Sequence, residues 1–395
     1  MKQGILLSSA LLGVAAVSGL LFNPAPVRAG RELGPTGVIV RSEFGGQIFG
    51  FDIDQNGTEG VLTEAQDIGT DQVLAVVETF DQATGNVLKT VKKLETKDDF
   101  LTLGIVGSSV GLVEREHVKG IFVVKRIYNE LDPLSKNRFS KKWTPPLAKD
   151  DIIIGISRNQ VQPNQTSTTN AVLAFENGGD DHTFVFGTNA DANTFGPLVT
   201  LTDPTFFFSN EPLVAYNGTT NQAVVAASDG AVGGPAPQIA LVDLTTGAVT
   251  QFTGILGPPP FHQGSINGLA VDSQDGIAVT TTELDFSVEF YNLKKKKGFA
   301  VVLPGATGQI QSGSDVEYDP VNKLFFVAQS VSSTGTGSSI QVYDTKGNLV
   351  ESLNGFNFSN AGNVIFTHIT LNPSNRTGYV DGPDAGVTEI QQFSY

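Results

Sequence analysis

The stretch 264–355 states one pattern twice, and that repetition limits the fold more than any other feature of the chain. Its first pass runs Ile266–Asp272, Gly276–Glu283, Ser287–Leu293 and Gly298–Leu303. Its second runs Asp315–Asp319, Lys323–Ser330, Ser339–Asp344 and Asn348–Leu353. Every run is short, alternates apolar with polar residues, and is bounded by Gly, Asn, Asp or Pro. Such a unit predicts a four-stranded antiparallel meander. A lone meander cannot cover both of its faces, so it has to stack against copies of itself.

Further copies can be read on both sides. The first is expected over Gln47–Ile53, Gly60–Glu64, Gln72–Phe80 and Asn86–Lys93, and the second over Phe100–Val106, Val110–Arg115, Gly120–Tyr128 and Arg138–Trp143. A third shows Asp151–Ser157, Ala171–Phe175 and His182–Phe186 without a readable fourth strand; an insertion, Thr188–Ser209, follows and carries Phe206–Phe208. The fourth is Pro212–Tyr216, Gln222–Ser228, Gln238–Asp243 and Ala248–Phe252. The tail offers only His368–Leu371, Gly378–Val380 and Val387–Phe393, one strand short, while Gly37–Phe44 near the head is a strand without a sheet. The expectation is therefore an all-β, seven-bladed β-propeller closed by an N-terminal strand that completes the last blade. Six blades is the alternative if the third unit is not a blade. Pairing head with tail would also hide two sheet edges that otherwise template aggregation.

The first residues set the compartment. Met1-Lys-Gln, an apolar run from Gly4 to Phe22, and Val27-Arg-Ala29 form the basic, apolar and small-residue zones of a secretory signal, with cleavage expected after Ala29. Residues 1–29 are read as signal peptide and 30–395 as a single propeller domain, secreted or periplasmic, with no membrane span after cleavage. There is no cysteine, which excludes disulfides, thiolate metal sites and a Cys nucleophile. Stability must then come from a large core, which a chain of this length can supply. The formal charge is −15, and losing Lys2 and Arg28 with the signal would take it to −17. A surface so acidic repels phosphate backbones, so no nucleic acid partner is expected.

The turns share a register. First strands end Tyr216-Asn217, Val271-Asp272, Tyr318-Asp319 and Leu371-Asn372; later turns read Asp81-x-x-x-Gly85, Asp243-x-x-x-Gly247 and Asp344-x-x-Gly347. Asp and Asn cap such turns with their side chains, and Gly supplies the positive φ. On these units the chain resembles the YVTN, NHL and gluconolactonase-like (lactonase-type) propellers over most of its mature length. No Trp-Asp dipeptide occurs, and Trp143 is the only tryptophan.

In a propeller, residues just before the first strands meet at one mouth of the channel although they lie about 50 apart in sequence. Those positions hold Asn210, Glu211, His262, Asn267, Asp315 and His368. The lactonase-type resemblance implies rim residues of these kinds as ligands, with a carboxylate on a metal and a His or Asp as general base. Asp and Asn at strand starts also cap turns, and lone histidines are commonly surface residues. Separately, Asp52-Ile-Asp54-Gln-Asn56-Gly57 matches the opening of a Ca²⁺ loop. The match then fails, since Thr63 stands where a bidentate carboxylate is needed, and Asn56-Gly57 equally reads as a hairpin turn. Ca²⁺ is the only cofactor suggested. A basic tract, Lys119–Lys149, could face an anionic glycan or a protein partner, whereas Lys294–Lys297 reads as a solvated turn.

No nucleophile elbow, zinc-protease, phosphate-loop or dinucleotide motif is present. Three functions remain. The first is an exported propeller that binds a small molecule, glycan or protein partner at its channel mouth without chemistry. The alternative is a lactonase-like, metal-assisted hydrolase. The third is a purely structural envelope or matrix component, which would have no small-molecule pocket at the mouth.

Overall fold

The computed structural model describes residues 33–53, 58–69, 72–96, 99–106, 109–116, 121–128, 140–143, 152–157, 171–177, 182–189, 194–201, 210–228, 238–252, 266–282, 287–304, 311–331, 338–356, 368–384 and 387–395. Among these the chain is all strand, with no helix, and forms seven antiparallel sheets. Sheet I comprises Gln47–Ile53, Glu59–Gly69, Gln72–Asp81 and Val87–Thr96; sheet II comprises Asp99–Val106, Ser109–Glu116, Ile121–Tyr128 and Ser140–Trp143. Sheet III is Ile152–Ser157, Ala171–Asn177 and His182–Asn189, with Thr194–Phe195 and Val199–Leu201 both paired to its third strand. Sheet IV is Asn210–Asn217, Gln222–Ser228, Gln238–Asp243 and Val249–Phe252, and sheet V is Ile266–Asp272, Ile277–Thr282, Ser287–Asn292 and Lys297–Val302. Sheet VI is Gln311–Asp319, Leu324–Val331, Ser338–Asp344 and Leu349–Phe356. Sheet VII takes Ile369–Asn372, Thr377–Asp384 and Val387–Ser394 from the tail and Gly34–Arg41 from the head.

Two expectations need correction. The insertion after the third unit holds its missing fourth strand, broken into two short pieces; Phe206–Phe208 lie outside the described residues. The head strand ends at Arg41, not at Phe44, with Ile39 opposite Gln391 and Arg41 opposite Glu389. Ser42 to Gly46 leave the ladder because buried carboxylates of sheet I take their donors: Glu78 accepts from the Ser42 hydroxyl and the Glu43 amide, and Glu64 from the Gly46 amide.

The core lies between sheets. Tyr291 and Leu293 of sheet V pack with Val224 and Leu241 of sheet IV, and Phe325 and Tyr343 of sheet VI pack with Val279 and Phe290 of sheet V. Phe393 and Leu371 of sheet VII meet Phe326 and Val342 of sheet VI, and Phe51 and Phe80 of sheet I meet Tyr379 and Ile390 of sheet VII. Each buried aromatic removes some 150–250 Å² from water, the main stabilising term here. The first strand of every sheet lies beside the first strand of the next, and that of sheet VII lies beside that of sheet I.

The turns follow the predicted chemistry. Asp272 Oδ1 accepts from the amides of Gln274 and Asp275, and Asp319, Asp243 and Asp81 do the same in their own turns. The Thr84 hydroxyl and amide hold the Asp81 carboxyl below its ordinary value, and the Thr246 amide does so for Asp243. The left-handed residue that closes these turns is Gly85, Gly247, Gly276 or Lys323, and Lys296 takes the same conformation in the turn after Asn292. Gly85 is also fixed by space, since a Cβ there would come within 2.6 Å of the Ile39 carbonyl oxygen.

Candidate functional site

Each of the first strands of sheets I to VI breaks register near its start. The shifts fall between Ile48 and Gly50, Phe100 and Thr102, Ile153 and Ile156, Asn210 and Leu213, Ile266 and Gly268, and Gly313 and Asp315. A bulge adds a residue, bends the strand and re-aims side chains. Asn267 and Ser314 are such extra residues. Repeating the irregularity at one end of six strands singles out that end as the place where local geometry departs from plain sheet.

The same end is polar beneath its surface. Third strands run from it toward the Asp turns, and they read Ser287-x-Glu289-x-Tyr291, Ser339-x-Gln341-x-Tyr343, Glu389-x-Gln391-x-Phe393 and Val76-x-Glu78-x-Phe80 in sheets V, VI, VII and I. All of these named side chains are buried, and each ring packs on the preceding sheet. Residues two apart in a strand share a face, so the four inter-sheet spaces that these strands line are apolar beside the turns and polar beside the bulges. Glu289 accepts from the Ser287 hydroxyl at 3.0 Å and the Thr280 hydroxyl at 2.9 Å. Gln341 donates to Ser339 at 2.8 Å and accepts from Ser352 at 2.5 Å. Glu389 accepts from Gln391 at 3.4 Å and from the Arg41 guanidinium at 2.9 Å.

At the start of sheets VI and VII two rim candidates, Asp315 and His368, come together. Gly268 leaves room for the neighbouring strand: a Cβ on it would lie 2.7 Å from Asp315 Cα. Asp315 accepts from its own neighbour's amide, Val316, at 2.8 Å and from the Ile369 amide of sheet VII at 3.0 Å. Its Oδ2 lies 3.9 Å from Nδ1 of His368, which is about one-third exposed, so protonation of the imidazole makes an ion pair there. The His368 amide donates to the carboxylate of buried Asp381, and the Asp381 amide returns a bond to the His368 carbonyl. Asp315 thus ties two sheets together and lies beside a partly exposed imidazole that can accept or donate a hydrogen bond.

The remaining candidates fare differently. Asn210 and Glu211 begin the first strand of sheet IV, where only the backbone is described; His262 lies outside the described residues. Asp52 is buried and accepts from the Ile53 amide and the Thr370 hydroxyl of sheet VII, so it serves as an inter-sheet tie. Asp54 and Asn56 lie outside the described residues. Among the described residues no group of three or more His, Asp or Glu is placed to hold a metal. Lys294–Lys296 form an exposed turn, capped by Asn292 accepting from the Lys295 amide, and Lys297 begins the fourth strand. The Lys119–Lys149 side chains are not described. The buried Glu64, Glu78, Glu289, Gln341 and Asp381 are not among the candidates, although the polar-x-polar-x-aromatic spacing of third strands marks Glu289 and Gln341.

No family model matches the chain, and no curated protein matches it. Solved structures do. The β-propeller domain of Cps50 (Swd1) from Myceliophteria thermophila is similar, with a TM-score of 0.54, 11% identity, 92% of this chain and 100% of that one covered. Sqt1 from Chaetomium thermophilum, bound to the N-terminus of the ribosomal protein L10, gives a TM-score of 0.54 at 12% identity, covering 92% and 100%. Saccharomyces cerevisiae Sqt1 gives 0.50 at 11% identity, covering 92% and 99%. At such identities the likeness concerns architecture alone, and the neighbours are not of the lactonase type. The described chain has the fold of a β-propeller.

Proposed function

We propose that the protein is an exported, seven-bladed propeller whose bulged, polar end binds a partner, with the Gly34–Arg41 strand closing the ring. Each of the seven sheets then serves as one blade. The adjacency of first strands from sheet I round to sheet VII supports the closure. The observation that carries the binding role is the coincidence, at one end, of six bulged strand starts and a buried polar layer. Bulges of this kind are devices for presenting side chains. A neighbour of the same fold holds a protein N-terminus, which favours a protein segment as the partner class. Export rests on the signal-like residues 1–29.

The test places a photo-crosslinking residue at Asn267 or His368, and, as control, at Asn322 in the opposite turn. Crosslinks to one defined protein from the rim positions alone are expected. Equal crosslinking from Asn322, or labelling that a His368→Ala plus Asp315→Asn variant leaves unchanged, would sink the reading. The lactonase-like alternative draws on the His368–Asp315 pair. It predicts hydrolysis of lactones that depends on an added divalent cation and is lost in His368→Ala.

A further inference from the structure

Two buried carboxylates in sheet I have an unusual hydrogen-bond inventory. Glu64 is 1% exposed and Glu78 is fully buried. Glu78 sits opposite Leu62 and Glu64 opposite Val76, so the two are diagonal neighbours on one face, within reach of one another. One oxygen of each is occupied: Glu64 Oε2 by the Gly46 amide at 2.8 Å, and Glu78 Oε2 by the Ser42 hydroxyl at 3.1 Å and the Glu43 amide at 3.3 Å. The other oxygen of each, Oε1, is shut off from solvent and has no hydrogen-bond partner. A buried acceptor without a donor is costly, and two neighbouring buried anions repel each other as well.

Among the described side chains no cation is paired with either; Lys93 stands opposite Val76 on the fourth strand, where only the backbone is described. Glu43 on the linker is acidic and adds to the repulsion. Arg41 is engaged with Glu389. A hard divalent cation needs six or more oxygens, whereas this closed pocket offers two free ones and no third acid or histidine among the described residues. One proton satisfies both orphans at once.

We propose that Glu64 and Glu78 share a single proton, held on Glu78 Oε1 and donated to Glu64 Oε1, and that this acid–carboxylate pair fastens the 42–46 linker joining sheet VII to sheet I. The proton comes from bulk water on folding. The occupied Oε2 atoms remain free to accept from Ser42, Glu43 and Gly46, so protonation does not cost the linker its anchors. Loss of the proton sets two anions against each other directly beneath the linker. Burial, opposed by the Glu43 and Ser42 donors and assisted by the Glu64 charge, raises the Glu78 carboxyl above its ordinary 4.5, in agreement with this arrangement. Because the folded value is the raised one, the stability it contributes is complete below the ordinary value and is lost as pH rises through the folded value.

The experiment uses the full chain. E78Q keeps the shape, and its amide can donate to Glu64 as the acid does. Infrared difference spectra of wild type against E78Q at pH 7 should contain a protonated-carboxyl band, also missing from E64Q. E78Q should melt above wild type by about 2–4 °C at pH 8, with the gap closing toward pH 5. Absence of the band in wild type at pH 7 would overturn the proposal. So would Ca²⁺ or Mg²⁺ raising the melting temperature of wild type but not of E78Q, since that marks a metal site. If E78Q does not fold, the wild-type band and its loss in E64Q decide.

Discussion

Glu289 in sheet V and Glu78 in sheet I occupy the same repeat position, and both are fully buried, yet they are served in opposite ways. Glu289 has a hydroxyl on each oxygen, Ser287 from its own strand and Thr280 from the strand beside it. Sheet I puts Val76 where Ser287 stands and Leu62 where Thr280 stands. Glu78 therefore draws its donors from outside the sheet, from Ser42 and Glu43. A carboxylate satisfied within its own sheet is internal scaffolding. One that lacks local donors becomes the attachment point for whatever chain passes over it, and here that is the linker leading from the head strand. Repetition in sequence thus fixes where a polar group is buried, but its neighbours decide its task.

The largest expected effect comes from deleting the satisfied carboxylate. Glu289→Ala strands two buried hydroxyls and opens a cavity, so it should cost about 3 kcal/mol in denaturant unfolding. Glu78→Ala at pH 8 should cost less, because it also removes a repulsive charge; an equal loss would erase the distinction. The charge-neutral pair is sharper, since the signs should differ. Glu289→Gln replaces an acceptor by a donor among hydroxyls and should destabilise by about 1 kcal/mol, whereas Glu78→Gln should stabilise at pH 8.

Supplying the missing hydroxyl is the next test. Val76→Thr is close to isosteric and offers Glu78 the kind of donor that Ser287 gives Glu289. A donor to the charged form favours that form, so the decline of stability with rising pH should begin at lower pH than in wild type. An unchanged profile in pH-resolved melting would show that the strand pattern is not what separates the two sites. The smallest effect concerns the rings below. Tyr291 shares its hydroxyl with Thr280 at 3.4 Å, while the Tyr343 hydroxyl has no hydrogen-bond partner and burial pushes it up to about 12. Tyr343→Phe should be neutral or gain up to about 1 kcal/mol, and Tyr291→Phe should lose a similar amount.

Much of the fold was legible because its signals are local. Alternating runs and Asp–Gly turns located the strands of sheets IV to VI to within a few residues, and the head-to-tail pairing followed from counting strands. What could not be read depends on distant groups. Val38-Ile-Val-Arg41 and Ser42-Glu-Phe44 look equally extended, but the second half is pulled away by Glu64 and Glu78 from sheet I. The fourth strand of sheet III is in two pieces too short to carry a period. His368 does precede its first strand, but Asp315 lies within Gln311–Asp319, and the bulge between Gly313 and Asp315 was not legible because an extra residue leaves no compositional mark. Asp52 looked like part of a calcium loop, since its bond to Thr370 joins residues 318 apart in the chain.

The pairing of Gly34 with Ser394 has a mechanical consequence. Tension applied between these two residues would pull at the same corner of sheet VII, parting the ladder bond by bond like a peeled strip. A pull that ran lengthwise would instead load all of those bonds together. The molecule should therefore yield at low force when tethered by both ends, and far more reluctantly when gripped across two internal turns.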